Sequence, residues 1–291
     1  MMRPHFFIRH KQQFLGSGNI ATCPSLCLLA ATGHHEFHED SYMSALYVWK
    51  WSRHACRVQW KIHTVESFHS VTFLPGRSLL LVTNPGRNAV HVFDAKTRAR
   101  QKDMKLFDSP GSISAVGLPA LVAVAMDASV CLFHELGPQR WVVLSKVQCS
   151  SELQFQFRHN IRLVHVKHAL TIAGASFKCV SFVNVSDGSV HIIRHPFLAD
   201  AYDIEKVSGC RNKWMVAHVM DHGVAFYDRT GDTFVKYNEI HIWNAASVTD
   251  VPGLGIIVRR MSTEFVVLST RDQMRMAHMS NARVAWLSCL V

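Results

Sequence analysis

Acidic residues are scarce in this chain: of 291 residues only 21 are Asp or Glu, against 31 Lys or Arg, and the first carboxylate is Glu36. The formal charge is therefore +10 with the histidines neutral, a bias that attracts nucleic acid, acidic proteins or anionic lipid heads without choosing among them. Long apolar runs are lacking too. The longest, Gly117 to Met126, is half the ~20 residues that a membrane helix needs, and Asp127 closes it, so no transmembrane segment is expected. The opening MMRPHFFIRHKQQFLGSGN has no apolar stretch of secretory type. Its Arg3, Arg9 and Lys11, without an acid among them, fit either an exposed basic terminus or an organellar (mitochondrial) presequence. No CxxC pair occurs among the eight cysteines, several of which sit in apolar runs where Cys behaves as a small hydrophobe. A reducing, intracellular setting follows, the cytoplasm first. Neither GxSxG, GxxxxGK[ST], HExxH nor GxGxxG is present, so the enzyme classes most readily read from sequence are unsupported and no cofactor is expected.

What the chain does have is one recurring unit. An apolar run is followed by a short turn rich in Asp, Asn, Gly or Ser, then by an alternating apolar strand that ends on a large residue. LLLVTN-PGRN-AVHVFDA, LVAVAM-DAS-VCLFHE and WMVAHVM-DHG-VAFYDR are the clearest copies, each a β-hairpin by pattern. Fainter ones are SFVNV-SDGS-VHIIRH and IIVRRM-STE-FVVLST, and the first, CLLAATG with SALYVWKW, has its turn replaced by the loop HHEFHEDSYM. The large residues Trp49, Phe93, Phe133, Ile193, Tyr227 and Leu268 follow one another at 44, 40, 60, 34 and 41 residues, mostly near the ~40–45-residue period of propeller blades. A second marker, Ser70-Val71-Thr72-Phe73-Leu74-Pro75-Gly76, returns as Ser247-Val248-Thr249-Asp250-Val251-Pro252-Gly253 and reads as the innermost strand of a blade. Residues 99–106 and 140–147 read as outermost strands. The expected fold is all-β, a single β-propeller of six or seven four-stranded blades over residues 20–291, preceded by a basic segment 1–19. FFIRHKQQ near the start and ARVAWLSCLV at the end are expected to complete one blade together.

The period and the strand endings VHVFDA and VAFYDR resemble the third strand of WD40-type blades, which ends in Trp-Asp. Phe93-Asp94 and Tyr227-Asp228 match with an aromatic substitution; Trp49-Lys50, Phe133-His134, Ile193-Arg194 and Leu268-Ser269 lack the Asp. No copy carries a clear Gly-His dipeptide, so the buried His-to-Asp network of that family is not evident. The resemblance implies the fold and no particular function.

Three groups of residues could carry chemistry. His34 and His38, four apart in the first loop, would share one side of a helical turn and, with Asp40, could hold zinc or another divalent ion; a solvated loop is the competing reading. Lys96, Arg98, Arg100 and Lys102 form one basic patch, and Arg158, Arg162 and Lys167 another, either of which could contact phosphates. Neither has the interleaved aromatics of a base-stacking platform. Asp127, Asp187, Asp221 and His222 recur in the hairpin turns, where Asp is favoured by its bond to its own backbone, so they argue for turns rather than catalysis. The leading expectation is a non-catalytic scaffold for protein partners within a multisubunit or ribonucleoprotein assembly. Nucleic-acid binding and a metal-dependent propeller hydrolase or lyase are the alternatives.

Overall fold

The chain alternates short apolar strands with polar turns, and because strands such as LLLVTN and LVAVAM are apolar on both alternating sets of positions, both faces of each sheet must be covered. The computed structural model meets that demand by stacking sheets around a ring. It describes residues 6–9, 19–38, 41–51, 56–117, 119–137, 140–150, 157, 160–166, 169–176, 178–194, 198, 200–210, 212–219, 223–230, 233–251, 255–260 and 264–269. Among them, twenty-four strands form six antiparallel four-stranded sheets.

Blade 1 is β2(Ile20–Cys23), β3(Leu28–His38), β4(Ser41–Trp51) and β5(Cys56–Thr64); blade 2 is β6(Val71–Leu74), β7(Leu79–Asn84), β8(Ala89–Asp94) and β9(Met104–Lys105). Blade 3 is β10(Pro110–Val116), β11(Leu121–Met126), β12(Ser129–Gly137) and β13(Arg140–Gln148). Blade 4 comprises β14(Arg162–Val166), β15(Ala169–Ser176), β16(Cys179–Asn184) and β17(Val190–Arg194), and blade 5 comprises β18(Ala201–Lys206), β19(Lys213–His218), β20(Val224–Thr230) and β21(Thr233–Ile240). Blade 6 takes β22(Ala245–Val251), β23(Gly255–Arg260) and β24(Glu264–Ser269) from one end of the fold and β1(Phe6–Arg9) from the other. Six blades close the ring.

Each pair of neighbouring blades encloses its own core. Leu46, Val48, Phe73 and Leu80 lie between blades 1 and 2, Leu81, Val92, Val122 and Phe133 between 2 and 3, and Leu121, Leu132, Ile161 and Ile172 between 3 and 4. Phe182, Ile204, Trp214 and Tyr227 fill the next gap, Met215, Phe226, Val248 and Val258 the one after, and Leu29, Trp49, Ile257 and Val267 the last.

The inner strands are joined by a second, polar device. Ser247 Oγ accepts from Ile20 N (3.4 Å), Asn19 Oδ1 from Val71 N (2.8 Å), Ser70 Oγ from Ile113 N (3.2 Å), Ser114 Oγ from Leu163 N (2.9 Å) and Asp203 Oδ2 from Val248 N (3.1 Å). In each case a side chain of one inner strand, or of the residue just before it, caps a backbone N–H of the next, so five of the six junctions are latched in the same way. At the sixth, between blades 4 and 5, the corresponding residue is Arg162, which has no acceptor to offer. There Arg162 Nη2 donates to Asp203 Oδ2 at 2.7 Å, and Ile204 N turns to its neighbour's Asp203 Oδ1 at 2.8 Å.

Several expectations need correcting. Ile193 lies in β17, an outermost strand; the third strand of blade 4 is β16, whose Val183 stands opposite Ile172 on β15. The 60-residue interval arose because SFVNV-SDGS-VHIIRH is a hairpin of the third and fourth strands, shifted by one strand from the others. Residues 99–106 do not form one strand: Asp94 Oδ1 accepts from Lys96 N and Thr97 N, Arg98 takes φ +66°, Arg100 bridges Phe93 singly, and the strand proper is only Met104–Lys105. The closing strand β1 pairs with β24, Phe6 opposite Val267 and Arg9 opposite Glu264. The segment 282–291 lies outside the described residues.

Candidate interaction face

The two kinds of connection that interleave on one side of the ring are the hairpin turns between second and third strands and the links from one blade to the next. Arg87 in a turn meets Glu66 in a link at 2.8 Å, Leu106 N donates to Asn88 O at 2.9 Å, and Val219 N donates to Asp200 O at 3.2 Å. We refer to this side as the hairpin face. Three large apolar side chains stand out on it, all on blade-to-blade links: Val65 is 87 % exposed, Phe107 59 % and Trp243 57 %. Among the described tryptophans, Trp49, Trp51, Trp60 and Trp214 are buried, Trp141 is half-buried and Trp243 is turned outward.

The His-rich segment read as a loop is strand. β3 and β4 continue past the point where the other hairpins turn, with His34 opposite Ser44, His35 opposite Met43, Glu36 opposite Tyr42 and His38 opposite Ser41. Thr32 and Thr83 mark the common level, since each hydroxyl donates to a carbonyl of the following blade, that of His69 (2.9 Å) and that of Gly111 (2.8 Å). From Gly33 the strand runs five residues further, ~16 Å at ~3.3 Å per residue. In extended backbone His34 and His38 are ~13 Å apart rather than one helical turn, which removes the spacing argument for a shared metal. Asp40 lies outside the described residues.

The first basic patch is not assembled. Lys96 and Arg98 are exposed in a turn on the opposite face, where Ala95 N donates to Ser78 O at 2.7 Å, and Lys102 is exposed near the rim. Arg100 is drawn to Asp103 (2.8 Å), and Arg162 is buried in the ring of inner strands, while Arg158 and Lys167 lie outside the described residues.

Two buried His–carboxylate clusters are present although no Gly-His dipeptide announces them. His91 on β8 is fully buried, its Nε2 2.9 Å from Glu66 Oε2 and 2.8 Å from Asn84 Nδ2, and its Nδ1 3.1 Å from Asp103 and 2.8 Å from Arg100 Nη2. Burial pushes the Asp103 carboxyl up, but the Arg100 and His91 groups bonded to it outweigh that and hold it below the ordinary carboxylate value. On blade 5, His218 Nδ1 lies 2.8 Å from Asp200 Oδ1, with the Tyr227 hydroxyl 3.5 Å from Nε2. In both clusters the histidine belongs to a strand and the carboxylate to a link, so the polar tie between link and blade is kept with its parts redistributed.

Around Arg162 the inner strands gather more charge. Its Nε is 2.9 Å from Glu205, and Asp203 also accepts from Ser247 Oγ at 2.7 Å. Burial pushes the Glu205 carboxyl up to about 7; Arg162 opposes this, while Asp203 and Asp250 add to it. A carboxyl raised in the folded state stabilises fully below its unfolded value, and that contribution is lost as pH rises from about 4.5 through 7. Glu205→Gln is therefore expected to flatten the pH dependence of stability in this window. Denaturant titrations at pH 5 and pH 8 check it; equal pH slopes in the two proteins would contradict it.

No protein-family model and no curated protein matches the chain. In the solved structures it is similar to a chain of the crystal structure of a mitotic checkpoint complex, with a TM-score of 0.65 and 10 % identity over 93 % of this chain and 92 % of that one. At that identity the likeness concerns the fold alone. Six four-stranded blades closed by the first strand, together with this likeness, show that the chain has the fold of a six-bladed β-propeller.

Proposed function

We propose that this chain is a non-catalytic propeller scaffold that docks partner proteins on its hairpin face as a subunit of a larger assembly. The observation that carries the reading is the placement of Val65, Phe107 and Trp243, exposed on three links of one face while the strands beneath are locked by six cores and a ring of hydrogen bonds. Exposed aromatic and aliphatic side chains on rigidly held loops are what protein interfaces use as anchors. The similar solved chain also comes from a multiprotein complex. Cys23, Cys27, Cys131, Cys149, Cys179 and Cys210 are free thiols, which fits a reducing compartment.

Affinity purification of the tagged chain at low and high salt, with and without nuclease, tests this against a Val65→Ser/Phe107→Ser/Trp243→Ser variant. Stoichiometric protein partners that resist nuclease are expected from the parent, with recovery reduced about 30-fold in the variant, the equivalent of ~2 kcal/mol for an anchor. Partners lost to nuclease would replace the scaffold reading with a ribonucleoprotein one. Partners retained by the variant would move docking off this face.

A further inference from the structure

We infer that the sector of the hairpin face over blades 1 to 3 docks an extended acidic segment of a partner protein that carries one or two large apolar side chains. The inference rests on the scaffold reading above and adds to it the place and the chemistry of the ligand. A continuous line of contacts crosses the three blades. Phe68 N donates to Ser44 Oγ of the long hairpin at 3.1 Å, Glu66 meets Arg87 at 2.8 Å, Leu106 N donates to Asn88 O at 2.9 Å, and Lys146 Nζ lies 4.5 Å from the centre of the Phe107 ring. Val65 and Phe107 sit along this line, and the overlong β3–β4 hairpin stands at its blade 1 end.

The charge along the line is sorted by direction. The side chains of Glu66 and Asp103 are only 17 % and 14 % exposed because they turn inward onto His91, whereas those of their partners Arg87 and Arg100 are 58 % and 42 % exposed. Lys105 and Lys146 add two further exposed cations beside Phe107. The internal His91 cluster thus absorbs Glu66 and Asp103 and leaves guanidinium and ammonium groups outside, next to apolar side chains, with Asp108 and Asp127 as carboxylates of the sector that do not turn onto His91. Carboxylates of a ligand would complement the cations, and a Leu or Phe side chain would cover Val65 and Phe107. Lys96 and Arg98, two cations of the opposite face, have no exposed large apolar neighbour on their turn.

Selection of displayed random 12-residue peptides on the immobilised full chain tests the inference. Enriched peptides are expected to be net negative with at least one large apolar residue, and to bind less well as salt rises. Their affinity should fall at least tenfold in Phe107→Ser and in Lys105→Glu/Lys146→Glu, with melting temperatures kept, and should be unchanged in Lys96→Glu/Arg98→Glu. Neutral or basic winners, or binding indifferent to the sector substitutions, would overturn the inference. If binding depends instead on Trp243, the scaffold reading stands and this placement fails. Should no peptide be enriched while nuclease-resistant partners still depend on Val65 and Phe107, the ligand is a folded surface and the inference again fails alone. No peptide and no partner would overturn both, and an RNA oligonucleotide bound through Lys105 and Lys146 would replace the peptide.

Discussion

Replacing Asp203 with alanine is expected to cost about 3–5 kcal/mol, the range for breaking a buried ion pair by removing one partner. Its carboxylate is fully buried and accepts from Arg162 Nη2, Ser247 Oγ and Val248 N through one oxygen and from Ile204 N through the other. Alanine leaves the buried Arg162 guanidinium with only Glu205 as a carboxylate partner and strips the caps from two inner strands at once. Asparagine keeps an acceptor for the hydroxyl and an N–H but not the charge, so Asp203→Asn should lose roughly half as much. Thermal unfolding reads both, with a drop of roughly 10 °C for alanine. A loss below about 1 kcal/mol in alanine would show that the blade 4–5 junction does not depend on this ion pair.

Gly223→Ala is expected to be comparably damaging, about 2–5 kcal/mol, from two causes that add. Gly223 opens β20 with φ +69°, a conformation that costs a residue with a Cβ roughly 1–2 kcal/mol. A Cβ there would also run into Ile240 O and Ile242 N, backbone atoms of the next link that cannot swing aside as a side chain would. Displacing that link moves Ile240 and Ile242, both in the core between blades 5 and 6, an overpacking cost of about 1–3 kcal/mol more. Gly188 has nearly the same φ, +71°, but open space where its Cβ would be, so Gly188→Ala isolates the backbone term and should cost about 1–2 kcal/mol. Equal losses at the two glycines would mean that the steric argument is wrong.

The propeller was legible because its signal is repeated. Hairpins such as LLLVTN–AVHVFD and WMVAHV–VAFYDR show both faces apolar, which two-sided burial demands, and the blade period follows from their spacing. The assignment slipped in blade 4 because all four strands of a blade are short and apolar and any adjacent pair makes a hairpin; the sequence distinguishes a strand from a turn better than a second strand from a third. The polar latch was visible only in fragments. Ser70-Val71 and Ser247-Val248 form a repeated marker, but Asn19-Ile20 and Asp203-Ile204 do the corresponding job with other side chains and Arg162-Leu163 replaces the cap with an ion pair, and a pattern of chemical role rather than identity shows up only when the strands are in register.

The site was less legible for a related reason. Lys96, Arg98, Arg100 and Lys102 are neighbours in sequence, yet a turn sends the first two to one face and folds Arg100 back toward Asp103. Conversely Val65, Arg87, Phe107 and Lys146 come from three blades and are brought together by the ring alone. His91 gave a usable hint: an imidazole inside the apolar strand AVHVFD is buried by its position and must find partners, which Glu66 and Asp103 supply.

The pairing of β1 with β24 also sets an order of events. Phe6–Arg9 precede the other strands of the ring in the chain and their partner Glu264–Ser269 follows them, so the ring cannot shut until β24 has been synthesised. Blades 1 to 5 draw their strands from contiguous stretches and can pair as they appear, whereas blade 6 waits on the contact of greatest sequence separation, the kind that forms slowly. Until then blade 6 lacks its outermost strand and blade 1 its neighbour, leaving Leu29 and Trp49 on one side and Ile257 and Val267 on the other without the core they later share. The nascent chain is thus an open arc with two apolar ends, and the time it spends in that state is when a chaperone has most to gain by holding it.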